Sequence, residues 1–170
     1  MTPFVFARLL PVLALVAGCT SRQVYFSAAG DDPEGAVVTE MDAATTSISV
    51  AIYTFTSANI EAALLNAVPR GVSVQVVADA GQTYTYTDQA NLLAALSAGG
   101  VQVRTADGFG GGIMHNKFAV VDVKTVLTGS FNYTRSAEYE NDENLLVLSD
   151  PNLARAYDDA FQDLWARADQ

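Results

Sequence analysis

The sequence predicts an α/β fold in which a mixed β-sheet carries helices on both faces. Short segments rich in β-branched residues alternate with segments of helical periodicity, and this alternation is typical of the fold class. Residues 72–77 are rich in valine, which favours a strand buried on both faces. The chain has 170 residues and no evident linker or internal repeat, so we expect one domain over residues 24–170.

The first half of this domain is predicted to contain two helices among three strands. Pro33 suits the first turn of a helix that we expect to run to about Ala44. A second helix is indicated by Ile60, Leu64 and Val68, which recur at helical spacing. The three strands, each rich in Val, Ile, Tyr or Phe, are expected at residues 24–27, 47–55 and 72–77.

The second half is predicted to hold two helices and four short strands. Thr87 and Asp88 are expected to cap the first helix, and Asp150 is expected to cap the last. A glycine-rich loop over residues 107–112 separates the first predicted strand from the second. These strands are expected at residues 101–104, 117–121, 126–128 and 145–148.

The composition is globular and strongly acidic. The formal net charge is -10 and the pI is about 4.2, so the surface repels phosphate backbones and anionic lipids at long range. Cys19 is the only cysteine and His115 the only histidine. These counts exclude an intrachain disulfide and a polyhistidine zinc site, and we expect neither a metal nor a cofactor.

Residues 1–18 are predicted to be a signal peptide of the lipoprotein type. Arg8 precedes an apolar run that is too short to span a bilayer by itself. Residues 16–19, Val-Ala-Gly-Cys, resemble a bacterial lipoprotein box, in which the cysteine is lipidated and becomes the mature N-terminus. The alternatives are an uncleaved membrane anchor and, for Cys19, a buried apolar residue.

This signal predicts an exported protein that is held to a membrane by a lipid on Cys19. Residues 19–23 would then be a short tether before the domain. Thr20 follows the cysteine instead of an aspartate, which by the usual sorting of such lipoproteins indicates the periplasmic face of the outer membrane, or the cell surface.

The only histidine opens a motif of high specificity. The pattern is H-x-K-x4-D-x6-G-S-x-N, which is formed by His115, Lys117, Asp122, Gly129, Ser130 and Asn132. Alone, His115 would more often be a satisfied core histidine, and Ser130 and Asn132 would be turn residues. Six identities at fixed spacing favour a catalytic site instead.

Strand geometry indicates how the motif can act. His115 and Lys117 have the same parity and project from one face of a strand, so an imidazole and an ammonium converge. A neutral imidazole is a nucleophile, and the ammonium can hold a phosphate oxygen. Ser130 and Asn132 can donate to charge that develops on phosphorus. Asp122 has the opposite parity, which favours a structural role at a nearby backbone turn.

Glu143 completes the candidate catalytic set of His115, Lys117, Asp122, Ser130, Asn132 and Glu143. It precedes a predicted strand and can accept the second imidazole proton, which would orient His115. The alternative for Glu143 is a solvated loop position.

The motif resembles that of the phospholipase D superfamily. Similarity to its small, single-domain bacterial endonuclease branch extends over about residues 24–166, with the strongest matches at residues 47–56, 70–79, 129–134 and 143–148. The resemblance implies a phospholipase D-like sandwich and a metal-independent phosphodiesterase. It also implies that His115 forms a phosphohistidine, that Lys117, Ser130 and Asn132 bind phosphate, and that Glu143 orients the histidine.

Chemistry of this family uses two histidines, whereas this chain has one. A complete site therefore requires a second chain, most simply a twofold homodimer in which the motifs face each other. Residues 129–134 and the glycine-rich loop are candidates for this interface.

Three functions stay open at this point. Size and family branch favour a nonspecific nuclease, whereas lipid anchoring and acidity favour a phospholipase D. Residues 80–86 contain no cation, which weakens the nuclease hypothesis because cations dominate affinity for nucleic acid; Lys117, Arg104 and Arg135 can still form a local basic cleft. The third hypothesis is a binding lipoprotein without activity.

Overall fold

Seven strands form one mixed sheet in the computed structural model, which describes residues 21–169. The strands are β1 Ser21–Phe26, β2 Ser47–Ile52, β3 Ser73–Asp79, β4 Gln102–Ala106, β5 Lys117–Val121, β6 Thr125–Gly129 and β7 Asn144–Ser149. Their order across the sheet is β1-β7-β6-β5-β2-β3-β4. The predicted α/β fold with a mixed sheet is confirmed.

The pairing directions bring several strand ends together at one edge of the sheet. Strands β2, β3 and β4 are parallel, whereas β5, β6, β7 and β1 are joined by antiparallel pairings. As a result the ends of β2, β3 and β6 and the start of β5 meet at what we call the upper edge, marked by Ile52, Asp79, Gly129 and Lys117. The opposite ends form the lower edge.

Helices cover both faces of the sheet. They are α1 Pro33–Ala43, α2 Ala58–Ala67, α3 Ala80–Thr85, α4 Thr87–Ala98, α5 Arg135–Tyr139 and α6 Pro151–Arg167. The side chain of Asp150 caps α6 as predicted. The predicted cap of α4 is wrong, because Thr87 and Asp88 lie inside the helix, and Tyr86 at the N-cap makes no side-chain bond.

Two apolar cores lie on the two sides of the sheet. The larger contains residues of α1, α2 and α4, which pack on Ile48, Val50 and their neighbours. The smaller is closed by α6, whose Phe161 and Leu164 pack on the opposite face with Val120. Burial of a side chain of this size contributes about 1.5–3 kcal/mol, so α6 is bound mainly by these contacts.

None of the helices within residues 21–169 has both the length and the apolar character that crossing a membrane requires.

The sheet begins three residues earlier than expected. β1 starts at Ser21, whereas the sequence predicted Val24, so residues 21–23 of the predicted tether pair with β7. Ser27, predicted as the end of this strand, begins a 3-10 turn instead. The predicted signal peptide and Cys19 lie outside the described residues.

Asp122 fastens the lower edge. Both Asp122 and Val123 have positive φ, at 54° and 51°, in the hairpin turn between β5 and β6. The Asp122 carboxylate accepts hydrogen bonds of 2.6–3.1 Å from the amides of Thr45, Thr46 and Ser47 and from both threonine hydroxyls. Burial by itself raises the pKa of Asp122, but these hydrogen bonds outweigh it and lower the pKa well below its ordinary value of 3.8.

The position of Asp122 removes it from the candidate catalytic set. It lies beyond the far end of β5 from Lys117, about 17 Å away at about 3.4 Å per residue. Its strand parity predicted a structural partner to a nearby turn, and the hydrogen bonds to the Thr45–Ser47 segment are that contact.

We expect Asp122→Ala to destabilise the protein by about 1–3 kcal/mol at neutral pH, since charge-assisted hydrogen bonds to a partly solvated turn are lost. The folded pKa is depressed, so this contribution is present above pH 3.8 and is lost as the pH falls towards the folded pKa. Urea unfolding at several pH values measures the difference, which should shrink in acid.

Asp159→Ala, which removes an exposed carboxylate from α6, is the matched control and should change stability by less than about 0.5 kcal/mol. An Asp122→Ala protein as stable as the wild type at neutral pH would contradict the structural role.

Candidate active site

His115 and Lys117 meet at the upper edge of the sheet. Lys117 is the first residue of β5, and His115 lies in the extended segment that precedes it. Lys117 Nζ is 3.2 Å from His115 Nε2 and 3.1 Å from the carbonyl oxygen of His115. The predicted convergence of the two side chains is therefore observed. The imidazole is exposed, whereas Lys117 is half-buried.

The contact constrains the protonation of the pair. An ammonium has only donors, so its approach to Nε2 requires that nitrogen to carry a lone pair and the proton of a neutral imidazole to sit on Nδ1. Burial lowers the pKa of the Lys117 ammonium from its ordinary value, and the Glu143 carboxylate partly offsets this effect. Nε2 is thus the nitrogen available as a nucleophile.

Tyr53 contacts both members of the pair and was not predicted. It follows β2 directly, and its ring meets the imidazole edge to face, with centroids 4.5 Å apart. Lys117 Nζ lies 5.2 Å from the centre of the same ring, within range of a cation–π interaction. No linear pattern indicates this contact, because Tyr53 reaches the pair through the cross-strand register in which Ile52 pairs with Lys117.

Ser130 and Glu143 form a second polar group at the same edge. The exposed Ser130 hydroxyl donates to the Glu143 carboxylate and accepts from the backbone and side-chain nitrogens of Asn144 at 3.1 and 3.2 Å. Asn141 Nδ2 donates to the other Glu143 oxygen over 3.3 Å. Among the described residues, Glu143 makes no hydrogen bond to His115, and its carboxylate is instead bonded by Ser130 and Asn141. Glu143 acts on the His115–Lys117 pair only by raising the pKa of Lys117.

Asn132 has an unpaired side-chain oxygen. Its Oδ1 is buried and has no hydrogen-bond partner within residues 21–169. The next residue, Tyr133, is fixed to the end of β2, because its amide donates to the Thr54 carbonyl over 3.1 Å and its own carbonyl accepts from Thr56. Asn132 therefore lies beside the segment that bears Tyr53.

A glycine permits the close approach of the two motif segments. A Cβ on Gly129 would collide with the backbone carbonyl of Asn144. That carbonyl accepts the amides of Ser130 and Phe131 at 3.1 and 3.3 Å. Gly129 is thus required for packing, and it aligns Ser130 with Glu143.

Asp79 holds the backbone just before the histidine. It is 1% exposed, and its carboxylate accepts the amides of Gln82 at 2.7 Å and of Met114 at 2.8 Å. The sequence alone gives Asp79 no role, and its link to Met114 is seen only in the folded chain.

An open cleft of about 410 Å³ adjoins the histidine and lysine and is closed on one side by Tyr157 of α6. A larger hollow of about 630 Å³ lies away from them, between α1, α2 and α5. Its lining includes Asp32, Glu34 and Glu138, and such a lining repels a phosphodiester. The cleft at His115 is therefore the candidate site. No group of three or more His, Cys, Asp or Glu side chains in residues 21–169 is arranged to hold a metal ion.

The predicted basic cleft is not observed around Lys117. Arg104 donates to the Trp165 carbonyl over 2.7 Å and stacks 4.3 Å from the centre of the Trp165 ring. Arg135 lies over Tyr139. Neither arginine lines the cleft at His115.

Comparison with protein families gives a match over residues 37–165 to the cardiolipin synthase, PLD-like domain. The mitochondrial cardiolipin hydrolases of Chlamydomonas reinhardtii and Xenopus tropicalis are 34% and 37% identical over 74% and 72% of this chain. A phospholipase D of Rickettsia felis is 34% identical over 71% of it. The chain spans 54%, 56% and 58% of these relatives' own lengths.

Solved structures give a more complete match. Nuc of Salmonella typhimurium, a phospholipase D family member, superposes with a TM-score of 0.81 at 36% identity. The superposition covers 88% of this chain and 96% of that one. NucT from Helicobacter pylori superposes with a TM-score of 0.79 at 22% identity, over 88% of this chain and 98% of that one. At this identity the match shows only that the two folds are alike.

We expect Glu143→Gln to move the alkaline limb of the pH–activity profile to lower pH. The carboxylate raises the pKa of Lys117, so its removal lets the ammonium lose its proton at lower pH. The pH dependence of kcat/KM with bis(p-nitrophenyl) phosphate measures the shift. The amide retains an oxygen for Ser130. Glu140→Gln, at a nearby exposed position, should leave the limb in place; an unmoved limb in Glu143→Gln would exclude the electrostatic role.

Proposed function

The chain belongs to the phospholipase D superfamily, and on that premise we propose that it is a phosphodiesterase that hydrolyses nucleic acid through a covalent phosphohistidine on His115, without a metal. The observation that carries the proposal is the 3.2 Å contact between Lys117 Nζ and His115 Nε2. It places an exposed imidazole nitrogen beside a cation that can bind phosphate.

In the first step, Lys117 transfers its hydrogen bond from Nε2 to a non-bridging phosphate oxygen. Nε2 attacks phosphorus, the bond from phosphorus to the leaving oxygen breaks, and that oxygen takes a proton from an acid on the opposite side. In the second step, water attacks phosphorus and gives its proton to the group that acted as the acid in the first step, the bond from Nε2 to phosphorus breaks, and a phosphate monoester leaves. Each step exchanges one bond to phosphorus for another.

Ser130 and Asn132 are proposed to bind the other phosphate oxygens. Ser130 is exposed beside the site, and Asn132, two residues further along the chain, has the donor Nδ2 that a phosphate oxygen requires. In this proposal the Ser130 hydroxyl exchanges its Glu143 partner for phosphate when the substrate enters. Glu143 favours the charged form of Lys117, because its carboxylate raises the Lys117 pKa, and it keeps the hydrogen bond from Asn141.

A second chain is proposed to supply the opposing acid. One histidine serves as nucleophile, and the described residues contain no other imidazole near the upper edge. Exposure of His115 fits a site that is covered by a partner. We propose a twofold homodimer in which the upper edges and residues 129–134 face each other, so that the partner's histidine protonates the leaving oxygen and activates water.

The proposed lipid anchor bears on the substrate. β1 begins at Ser21 on the lower edge, where it pairs with Ser149. Cys19 is two residues earlier, a reach of about 7 Å, whereas the strands separate the lower edge from His115 by about 17–20 Å. A lipid on Cys19 would turn the site away from its own membrane, which favours a substrate in solution such as nucleic acid.

Phospholipid hydrolysis is the second candidate. Tyr84 and Phe109 are each 95% exposed and Ile113 is 58% exposed, and all three follow strands that end at the upper edge. Such residues suit contact with lipid, and curated relatives carry the names cardiolipin hydrolase and phospholipase D. A binding protein without activity is the least supported alternative, since the catalytic pair is intact.

We expect His115→Ala to lower hydrolysis of bis(p-nitrophenyl) phosphate by about 10⁴-fold or more, because the nucleophile is lost. The wild type should retain its rate in EDTA. Trapping of an acid-labile phosphoenzyme in the wild type, and its absence in His115→Ala, tests the intermediate. Loss of activity in EDTA that added metal restores would contradict a metal-independent mechanism.

The substrate is decided by one enzyme preparation assayed in parallel on plasmid DNA and on cardiolipin-containing vesicles. We expect DNA cleavage that depends only weakly on salt, since few cations contact phosphate, and no release of lipid products. Lipid hydrolysis without DNA cleavage would select the phospholipase, and His115→Ala controls for contaminating nuclease.

Mixed dimers test the shared site. When wild-type and His115→Ala chains exchange at equal amounts, a shared site should retain about a quarter of the activity of an all-wild-type sample, because only wild-type pairs are complete. Independent sites should retain about half. Wild-type protein diluted twofold with an inert carrier protein gives the activity expected for independent sites.

A further inference from the structure

Tyr53 touches both members of the catalytic pair and is itself tied to the rest of the upper edge. We propose that Tyr53 is a positioning residue that fixes His115 and Lys117 in their mutual geometry, and that Gln82 and Asp79 hold it there. This inference rests on the proposed function, because it concerns the same histidine.

The Tyr53 ring limits the motion of two side chains. It meets the His115 imidazole at an interplanar angle of 65° with centroids 4.5 Å apart, an edge-to-face geometry that aromatic pairs favour. The Lys117 ammonium lies 5.2 Å from the same ring centre. The imidazole is exposed, so this ring and the ammonium are the contacts that select its rotamer.

Gln82 holds the far end of the tyrosine. Its Nε2 donates to the Tyr53 hydroxyl oxygen over 2.9 Å, and its Oε1 accepts from the Thr54 hydroxyl over 3.3 Å. With both ends of the amide engaged, Gln82 keeps one orientation and anchors the tyrosine hydroxyl. The ring is thereby prevented from swinging away from the histidine.

Asp79 connects this side-chain contact to the backbone of the histidine. One carboxylate oxygen accepts a hydrogen bond from the backbone amide of Gln82 over 2.7 Å, and the other accepts one from the backbone amide of Met114 over 2.8 Å. Met114 is buried in the smaller core and directly precedes His115. These contacts form a closed ring of interactions, which we call the circuit. It joins Asp79, Gln82, Tyr53, His115 and Met114 and returns to Asp79.

The circuit positions the nucleophile from two directions. Its side-chain arm acts on the imidazole, and its backbone arm acts on the residue before it. Misplacement of a reacting group by about 1 Å can reduce the rate by about 10²-fold. Loss of the Tyr53 ring should therefore lower kcat much more than it raises KM, since Ser130 and Asn132 still bind phosphate when Lys117 is held less firmly.

The single histidine makes the test direct. In the full chain its Cε1–H proton gives one imidazole resonance, and we expect the Tyr53 ring current to displace it. Tyr53→Leu should return the resonance to the position of a free histidine and lower kcat for bis(p-nitrophenyl) phosphate by about 10²-fold, with KM changed less than about 3-fold. Tyr53→Phe keeps the ring but loses the hydroxyl that Gln82 holds, so it should shift the resonance only in part and lower kcat less than Tyr53→Leu does.

Tyr139→Leu, at an exposed position of α5, is the matched control and should alter neither measurement. Gln82→Met is the second variant and takes the place of Tyr53→Leu if that protein fails to fold. It removes the hydrogen bond to the Tyr53 hydroxyl and should broaden or shift the His115 resonance. An unchanged resonance and unchanged kcat in folded Tyr53→Leu would overturn the proposal. The resonance requires no turnover, so an inactive wild type with a displaced resonance would refute the proposed function and leave the positioning contact intact.

Discussion

The central strands β2, β3 and β5 are buried on both faces, and this constraint determines where polar chemistry can lie. Neighbouring residues such as Val76 and Val77 point into opposite cores and are both fully buried. An unpaired polar group on either face would be costly. Polar side chains therefore collect at the strand ends, with Asp122 at the lower edge and His115 with Lys117 at the upper edge.

The fold was predictable to the extent that each element has its own local signal. Valine-rich strands and helical periodicity are local, and the strand-and-helix alternation followed from them. The short helices α3 and α5 were missed because they contain only six and five residues, too few to show a helical period of apolar positions. They begin instead at caps, where Asp79 and Thr134 accept amides from their first turns.

The site was predictable only where two residues share a strand segment. His115 and Lys117 are two residues apart, so parity was sufficient to bring them together. Tyr53, Gln82 and Asp79 reach the histidine from other elements, through cross-strand register and the cap of α3, neither of which has a linear pattern. The contact between Ser130 and Glu143 was likewise unpredictable, because it depends on packing between separate segments. Gly129 packs tightly on Asn144, which brings Glu143 to Ser130.

The solitary, exposed His115 has a kinetic consequence. If two chains complete one site, then at concentrations below the dimer dissociation constant the rate rises with the square of the chain concentration. Two chains attached to one membrane search for each other in two dimensions, which raises their effective concentration without any new contact. A lipid on Cys19 would then govern the fraction of molecules that can turn over, in addition to their location.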